Sequence, residues 1–486
     1  MDKRNSISPI TATVLAILVG GTISVSGCKT VGPDYKRPDV APAKEFRLQV
    51  GPSAGTSVAD LAWWQVFNDK ALQGLITQAL SNNYDLQAAV ARIDQARAQV
   101  VVSRAELYPQ VGYQALGSRE QAFFPFQAIG SNIGKNVTYN TFGAALNAAW
   151  ELDVWGRIRR SNEAARANLF AQEDIRRGVM LTLVTDVATG YFLLIELDRE
   201  LAIAQDSAAT YKRTLDLFTQ RFQAGRDSRL PVVRAQAAYD SSSASIATLS
   251  RAIAQEENAL SVLLGAYPEA IARGARLDEQ TMPNTPVGLT SDLLERRPDI
   301  LQAEQTMIGA NAQIGVAVAN FFPRIGLSAL FGGEASRPED VFKSNFNVWG
   351  IGADISGPIF QGGRLKATLE AQRAFWDESI ARYKKTILVA FQETSNALAA
   401  QQTLAGQRTA LQSQVDSLRE AVDLALARYD GGRASYFEVL EAEQQLFPSE
   451  DQLAQTQRDQ LIATVNLYKA LGGGWNLKDG DWAQPR

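Results

Sequence analysis

The stretch RYDGGRASYFEVLEAE, Arg428 to Glu443, interrupts one of the longest helical patterns in the chain. A near copy, RFQAGRDSRLPVVRAQ, fills Arg221 to Gln236, so the two lie 207 residues apart (428 minus 221). A glycine just past a helix adopts the left-handed C′ conformation and closes the last turn, which makes Gly225 and the pair Gly431 and Gly432 helix stops. A serine follows each stop, and Ser228 and Ser435 are the expected N-caps of returning helices. Each stretch is thus the tip of a helical hairpin, and the spacing between the tips points to an internal duplication.

Other landmarks keep the same offset. Gly156-Arg157 matches Gly363-Arg364, and Leu264-Gly265 matches Leu471-Gly472, again 207 apart (363 minus 156). Earlier in each copy, Asp85 matches Asp299 and Tyr108-Pro109 matches Phe322-Pro323, both 214 apart (299 minus 85). The seven-residue difference (214 minus 207) falls between Pro109 and Gly156, where the loop REQAFFPFQAIGSNIGKN is longer than its counterpart GEASRPEDVFKS. Each copy reads helix, strand, loop, strand, long helix, glycine turn, helix.

The strand segments alternate with period two. In the first copy Phe142, Ala144, Leu146, Ala148, Trp150 and Leu152 share one face, opposite Thr141, Gly143, Asn147 and Glu151. The second copy sets Trp349, Ile351, Ala353 and Ile355 against Gly350, Gly352, Asp354 and Ser356. Such alternation suits lipid on one side and water on the other, and equally a soluble sheet packed on a core. The helices decide between them. Arg157 to Ala224 and Arg364 to Gly431 each run about 68 residues without proline, roughly 100 Å at 1.5 Å per residue. Apolar residues four and three apart, such as Leu411, Val415, Leu418, Val422 and Ala425, specify supercoiling against a partner helix. The partner is the returning helix of the same hairpin.

Two strands per copy give four, and four cannot close a barrel, whereas a sheet in lipid must close because lipid satisfies no strand edge. Two chains supply eight strands, whose interior side chains fill, and three supply twelve, enough for a lumen. The expected fold is mainly α with membrane β: two structural repeats per chain, long coiled-coil hairpins plus four strands, with the strands of several chains closing a barrel in lipid that continues into a helical tube. The expected organisation is a signal peptide at 1–27, a lipid-anchored extended tether at 28–60, a first repeat at 61–270, a linker at 271–298, a second repeat at 299–472 and a C-terminal tail at 473–486. Within the repeats, strands are expected at about 110–118, 137–153, 324–333 and 345–360, and long hairpins at 157–264 and 364–471.

Composition narrows the function. A net charge of −4 with scattered basic residues gives no footprint for nucleic acid. With no histidine and one cysteine, the chain lacks the usual zinc ligands, the usual general base and any intrachain disulfide. No catalytic residue, metal site or soluble cofactor is expected, and the chain is not read as an enzyme. Lys3 and Arg4 precede an apolar run from Ile10 to Val25, the pattern of an export signal. Val25-Ser26-Gly27-Cys28 resembles a bacterial lipobox, which implies that Cys28 carries the diacylglyceryl and N-acyl chains of a lipoprotein, palmitate among them. Lys29 after it is compatible with sorting to the outer membrane.

Five motifs carry a family resemblance: VGPDYKRP at Val31 to Pro38, WWQVFNDKAL at Trp63 to Leu72, WELDVWGR at Trp150 to Arg157, LLERRPDI at Leu293 to Ile300 and FFPRIGLS at Phe321 to Ser328. In this order they resemble the TolC-like outer-membrane efflux ducts, more narrowly the NodT-type lipoproteins of resistance-nodulation-division tripartite pumps. The resemblance implies a homotrimer in the outer membrane, a trimeric twelve-stranded β-barrel continuous with an α-helical barrel that forms its periplasmic extension. Its partners would be a periplasmic adaptor (membrane fusion) protein, an inner-membrane resistance-nodulation-division transporter and outer-membrane lipid. It also implies that the hairpin tips line the entrance. Glu438 and Glu441, three apart on one helix face, would form a ring of acids at the periplasmic aperture, and Arg226 and Arg433, beside Gly225, Gly431 and Gly432, would meet the adaptor. Ser435 and Glu438 also spell a capping box, so a purely structural role is open to Glu438. The first copy has Pro231 in place of that acid. Two other readings are a duct for type I protein secretion and a non-conducting periplasmic coiled-coil lipoprotein.

Overall fold

The computed structural model describes residues 30–40, 46, 61–62, 66–124, 135–280 and 293–473. The signal peptide, Cys28, most of the tether and the tail from 474 onward lie outside the described residues. In chain order the elements are α1 (Lys70–Asn82), α2 (Tyr84–Ala105), β1 (Gln110–Phe124), β2 (Lys135–Leu152), α3 (Arg157–Gln223), α4 (Arg229–Leu263), α5 (Leu293–Arg296), α6 (Pro298–Ala319), β3 (Arg324–Ala335), β4 (Asn347–Ser356), α7 (Arg364–Asp430) and α8 (Tyr436–Ala470). Helices α3 and α7 are each 67 residues, and α4 and α8 each 35, so the duplication holds to the residue in the hairpins.

The chain divides into two compact units. The first comprises 1–38, 93–171 and 304–382 and holds the four-stranded antiparallel sheet, ordered β1-β2-β3-β4. Its registers place Gln110 opposite Ala149, Ala148 opposite Ala329, and Arg324 opposite Ser356. β1 runs to Phe124 rather than 118. β4 ends at Ser356 rather than 360, because Gly357 and Pro358 follow and proline cannot donate to a ladder. At its front end, Ser344–Phe346 forms a 3₁₀ turn instead of strand.

The same unit explains VGPDYKRP, which on sequence alone belongs to an extended tether. The segment is strapped down. Val31 N–H donates to the Trp155 carbonyl at 3.1 Å, and the buried Arg160 donates to Asp34 at 2.7 Å. Tyr35 O–H and Arg37 both donate to Glu304, at 3.0 and 2.8 Å. Gly32 has φ +91° and lies so close to Gly315 that a Cβ would sit 2.6 Å from its Cα, so this crossing requires glycine. WELDVWGR acts locally. Its Asp153 accepts from the amides of Ile158 and Arg159 at 2.9 Å each, capping α3, while Arg157 grips Glu151 through two 3.0 Å bonds.

The second unit comprises 39–92, 172–303 and 383–486. Its core takes Leu72, Ile76, Val184, Tyr191, Leu260 and Tyr468, all fully buried. The most apolar window of α3 is two-thirds buried (67%), so it is core helix rather than a membrane span. The two copies end their hairpins alike. In the first, Asn83 Nδ2 donates to the Leu263 carbonyl at 3.0 Å. In the second, Arg297, 214 residues on (297 minus 83), donates to the Ala470 carbonyl at 2.9 Å. Arg297 also binds Asp299 and Glu393, both at 2.7 Å, with only 8% of its side chain exposed. Arg297 of LLERRPDI thus satisfies one of the last carbonyls of α8. Part of the expected linker is also fixed. Asp69 caps α1 through Ala71 N–H at 2.8 Å and accepts from Tyr191 O–H and Gln280 at 2.8 and 2.9 Å. Burial pushes its carboxyl up, but these hydrogen bonds outweigh burial and hold it below the usual aspartate value.

Candidate functional site

At the two tips, the last turns of α3 and α7 close as Schellman motifs. Arg226 N–H bonds the Arg221 carbonyl and Gly225 N–H that of Phe222, both at 2.9 Å. Arg433 bonds Arg428 at 2.8 Å and Gly432 bonds Tyr429 at 2.9 Å. Gly225 and Gly432 have φ of +69° and +70° and open space where a Cβ would be. Glycine is required here by backbone conformation, not by crowding. Gly431 is not among the positive-φ glycines, and Ala224 stands at its position in the first copy, so of the pair only Gly432 makes the turn.

Ser228 and Ser435 occupy the N-cap positions with extended backbone, φ −75° and −80°, yet neither hydroxyl makes a cap hydrogen bond. The capping box expected of Ser435 and Glu438 is therefore absent. The Glu438 amide instead takes the Ser435 carbonyl at 3.1 Å, and its carboxylate turns to Arg428, 3.4 Å away across the glycine turn. The matching arginine of the first copy, Arg221, lies 3.8 Å from Asp227 and over the ring of Tyr429. Each tip joins a last-turn arginine to an acid beyond its glycine. Glu441 is exposed and makes no ion pair among the described residues, and Arg226 and Arg433 are exposed. The structure thus places Glu438 and Glu441 on the same first turns of α8, with Glu438 paired to Arg428 and Glu441 facing solvent.

Behind the tips the two hairpins share an aromatic seam. Tyr436 makes edge contacts with Phe218 and Tyr429, at centroid distances of 4.9 and 5.2 Å, and its hydroxyl meets that of Thr214. Tyr211, Leu215, Ala235, Ala425, Val439 and Leu440 complete the buried cluster. In this apolar seam lies an acid that none of the sequence motifs contains as a functional group. Glu443 is 3% exposed, and its Oε2 has no hydrogen-bond partner among the described residues. Burial pushes its carboxyl up to about 7, against the pull of Arg213. Tyr211 and Tyr436 face it, each pushed up to about 12, chiefly by burial. Two turns on, burial and the nearby Glu200 and Glu450 raise Asp451 to about 7, with Arg199 opposing. The counterpart of Glu443 in the first copy is Gln236, which is exposed. A signal for Glu443 was available: Tyr436, Val439, Leu440, Glu443 and Leu446 fall on one helical face.

At the helix-proximal end of the sheet, Gln110, Glu151, Ser328, Asp354 and Ser356 line a cavity of about 410 Å³. A Cβ on Gly326 would meet the Asp354 carboxylate at 2.4 Å, so small residues leave room for polar ones on this face. No cluster of metal-ligating residues occurs among the described residues.

The family model described as outer membrane efflux protein matches residues 75–266 and 289–473, one block for each copy. The chain is 35% identical over 479 residues to a probable efflux pump outer membrane protein, TtgC of Pseudomonas putida, covering 97% of each. It is 33% identical over 455 residues to the cation efflux system protein CusC of Escherichia coli K12, covering 93% of this chain and 97% of that one. Among solved structures it is similar to the outer-membrane channel OprN, with a TM-score of 0.84 at 30% identity, covering 92% of this chain and 100% of that one. It is likewise similar to the open state of the MtrE outer membrane channel of Neisseria gonorrhoeae, with a TM-score of 0.82 at 32% identity, covering 92% and 99%.

Proposed function

The chain belongs to the outer membrane efflux protein family, and from that premise we propose how its own residues equip it as an exit duct. The protein is the outer-membrane channel of a tripartite efflux pump, through which small molecules leave the cell. The observation that carries this reading is the pairing of an open four-stranded sheet with two 67-residue helices in one chain. A sheet with two free edges is incomplete in lipid, and three copies complete it. The type I secretion duct and the non-conducting spacer are the weaker readings, because the relatives are efflux channels.

The duct conducts passively and catalyses nothing; an adaptor and an inner-membrane transporter supply delivery and energy. Cys28 carries the lipid anchor. The lipobox-like Val25-Ser26-Gly27-Cys28 supports this. Relatives are named for toluene, solvents, antibiotics and cations, a breadth that fits a conduit whose cargo is chosen upstream.

At the entrance, Glu441 presents an exposed carboxylate with no ion pair among the described residues, and Glu438 one restrained by Arg428. Three chains bring six such groups (two per chain) around one axis, which attracts cations. Arg226 and Arg433 at the exposed turns meet the adaptor. Replacing Glu438 and Glu441 together by glutamine should change single-channel conductance and weaken block by multivalent cations added on the periplasmic side. Unchanged conductance with unchanged block would remove both acids from the aperture.

A further inference from the structure

The duplication also marks residues that the hairpin architecture does not require. Pro448 stands inside α8. It has no amide hydrogen, so the Gln444 carbonyl four residues back loses its helical donor. Asp451 follows on the same helix face, and its Oδ1 is buried with no hydrogen-bond partner among the described residues. The first-copy counterparts of Gln444, Pro448 and Asp451 are Ala237, Ser241 and Ala244, 207 residues back (451 minus 244). They bring neither a proline nor a charge, so a helical hairpin of this kind is built without either.

Gln444, Pro448 and Asp451 line one cavity of about 560 Å³ between α3, α4 and α8. Leu249 and Leu440 and the rings of Tyr211, Phe437 and Phe447 supply apolar walls, with Tyr211 and Phe447 edge to face at 5.7 Å. Serines on the walls are already engaged: the Ser207 and Ser242 hydroxyls bond each other at 3.0 Å, and Ser245 donates to the Ser241 carbonyl at 3.2 Å. The charged groups acting on Asp451 are Arg199 and Glu200 of α3 and Glu450 of its own helix, and none of them pairs with it. From α4 the cavity receives one charge, Arg234, whose guanidinium lies over the Phe437 ring at 5.4 Å. Phe437 and Asp451 are 14 residues apart (451 minus 437), about 21 Å along the helix at 1.5 Å per residue. Arg234 therefore stands at the opposite end of the cavity from the carboxylate.

We propose that this cavity binds an amphipathic monoamine, with the ammonium on the Asp451 carboxylate and the apolar body along the aromatic walls. An ammonium brings three donors and no acceptor, which is what a partnerless carboxylate oxygen and a freed carbonyl call for, and aromatic faces attract it further. The volume and the mostly apolar lining with a few polar groups are those of small-molecule sites. A second ammonium would meet Arg234, so diamines are disfavoured. An occupant touches α3 and α4 of the first hairpin and α8 of the second, and so bridges the two. Every residue of the site belongs to one chain, so it stands whether or not the protein conducts.

Calorimetric titration of the full-length protein in detergent with 4-phenylbutylamine at pH 8 tests this, with 4-phenylbutan-1-ol as the uncharged control. Two variants separate the parts of the site: Asp451→Asn keeps the shape and removes the charge, and Ser241→Leu fills the cavity and leaves the carboxylate in place. The expected result is saturable binding of one amine per chain, which the alcohol does not show. Either variant should weaken it about 10-fold or more, the worth of one charged hydrogen bond. Lowering the pH to 5.5 should weaken it likewise, because a carboxyl raised to about 7 is then protonated. No saturable binding to the unaltered protein, or equal affinity for the Asp451→Asn variant, would overturn the proposal. Affinity lowered by Asp451→Asn and untouched by Ser241→Leu would put the amine on an outer surface, and would overturn it too.

Discussion

Glu443 offers a test of the seam that joins the two hairpins. Its carboxyl stands at about 7 against 4.5 for an ordinary glutamate, and burial is the main cause. A raised acid is worst accommodated when ionised. The packed seam is therefore at full strength below about pH 4.5, weakens as pH rises toward 7, and stays weaker above it. The difference of about 2.5 units corresponds to a ceiling of about 3 kcal/mol at 1.36 kcal/mol per unit, and relaxation with water entry reduces that to about 1–3 kcal/mol. Glu443→Gln keeps the shape and removes the charge. It should tighten the seam at pH 8 and leave it nearly unchanged at pH 4.5. Hydrogen exchange across α8, corrected for the intrinsic pH dependence, reads this directly: protection of the amides around Tyr436 to Phe447 should rise about 10–100-fold at pH 8 and less than about 2-fold at pH 4.5. Equal effects at both pH values, or none at pH 8, would refute the reasoning, since Asp451 ionises over the same range in both proteins and only Glu443 differs between them.

Other outcomes follow from the same geometry. Gly432→Ala should cost about 1–2 kcal/mol through its φ of +70°, while Gly431→Ala should be neutral or slightly stabilising; thermal melts of the two variants compare them. Arg297→Met leaves the Ala470 carbonyl without its donor and the half-exposed Glu393 and Asp299 without their cation, a loss of about 1–3 kcal/mol visible as faster proteolysis near the end of α8. Glu304→Gln loses the ion pair to Arg37 and weakens the hydrogen bond from Tyr35, so limited proteolysis should release the segment before Pro38 sooner than in the unaltered protein.

What could be read from residues alone followed from how few ways there are to build each part. A helix closed by a left-handed residue calls for glycine, so Gly225 and Gly432 were visible, and their spacing exposed the duplication. Alternation in β2 and β4 was visible because a strand has period two. Strand ends were less so: β1 extends to Phe124 through residues with no alternating pattern, and Pro358 was the signal that should have shortened β4. Ser435 and Glu438 matched a capping box in sequence, but the motif says nothing of Arg428 across the turn, which takes the carboxylate. Glu443 stands on the apolar face of Tyr436, Val439, Leu440 and Leu446, which the residues alone display, but the packing of Tyr211 from the other copy against that face is not written in the sequence of α8. The strap at Val31 to Arg37 was unreadable for the same reason, since its partners Arg160, Glu304 and Asn311 are distant in sequence.

The central claim is that three copies of this chain make one open conduit. Purified full-length protein of three-chain native mass, added to a planar lipid bilayer, should give discrete conductance steps with cation preference, reduced when Glu438 and Glu441 are both glutamine. Trimeric protein that inserts and yet passes no current would contradict it.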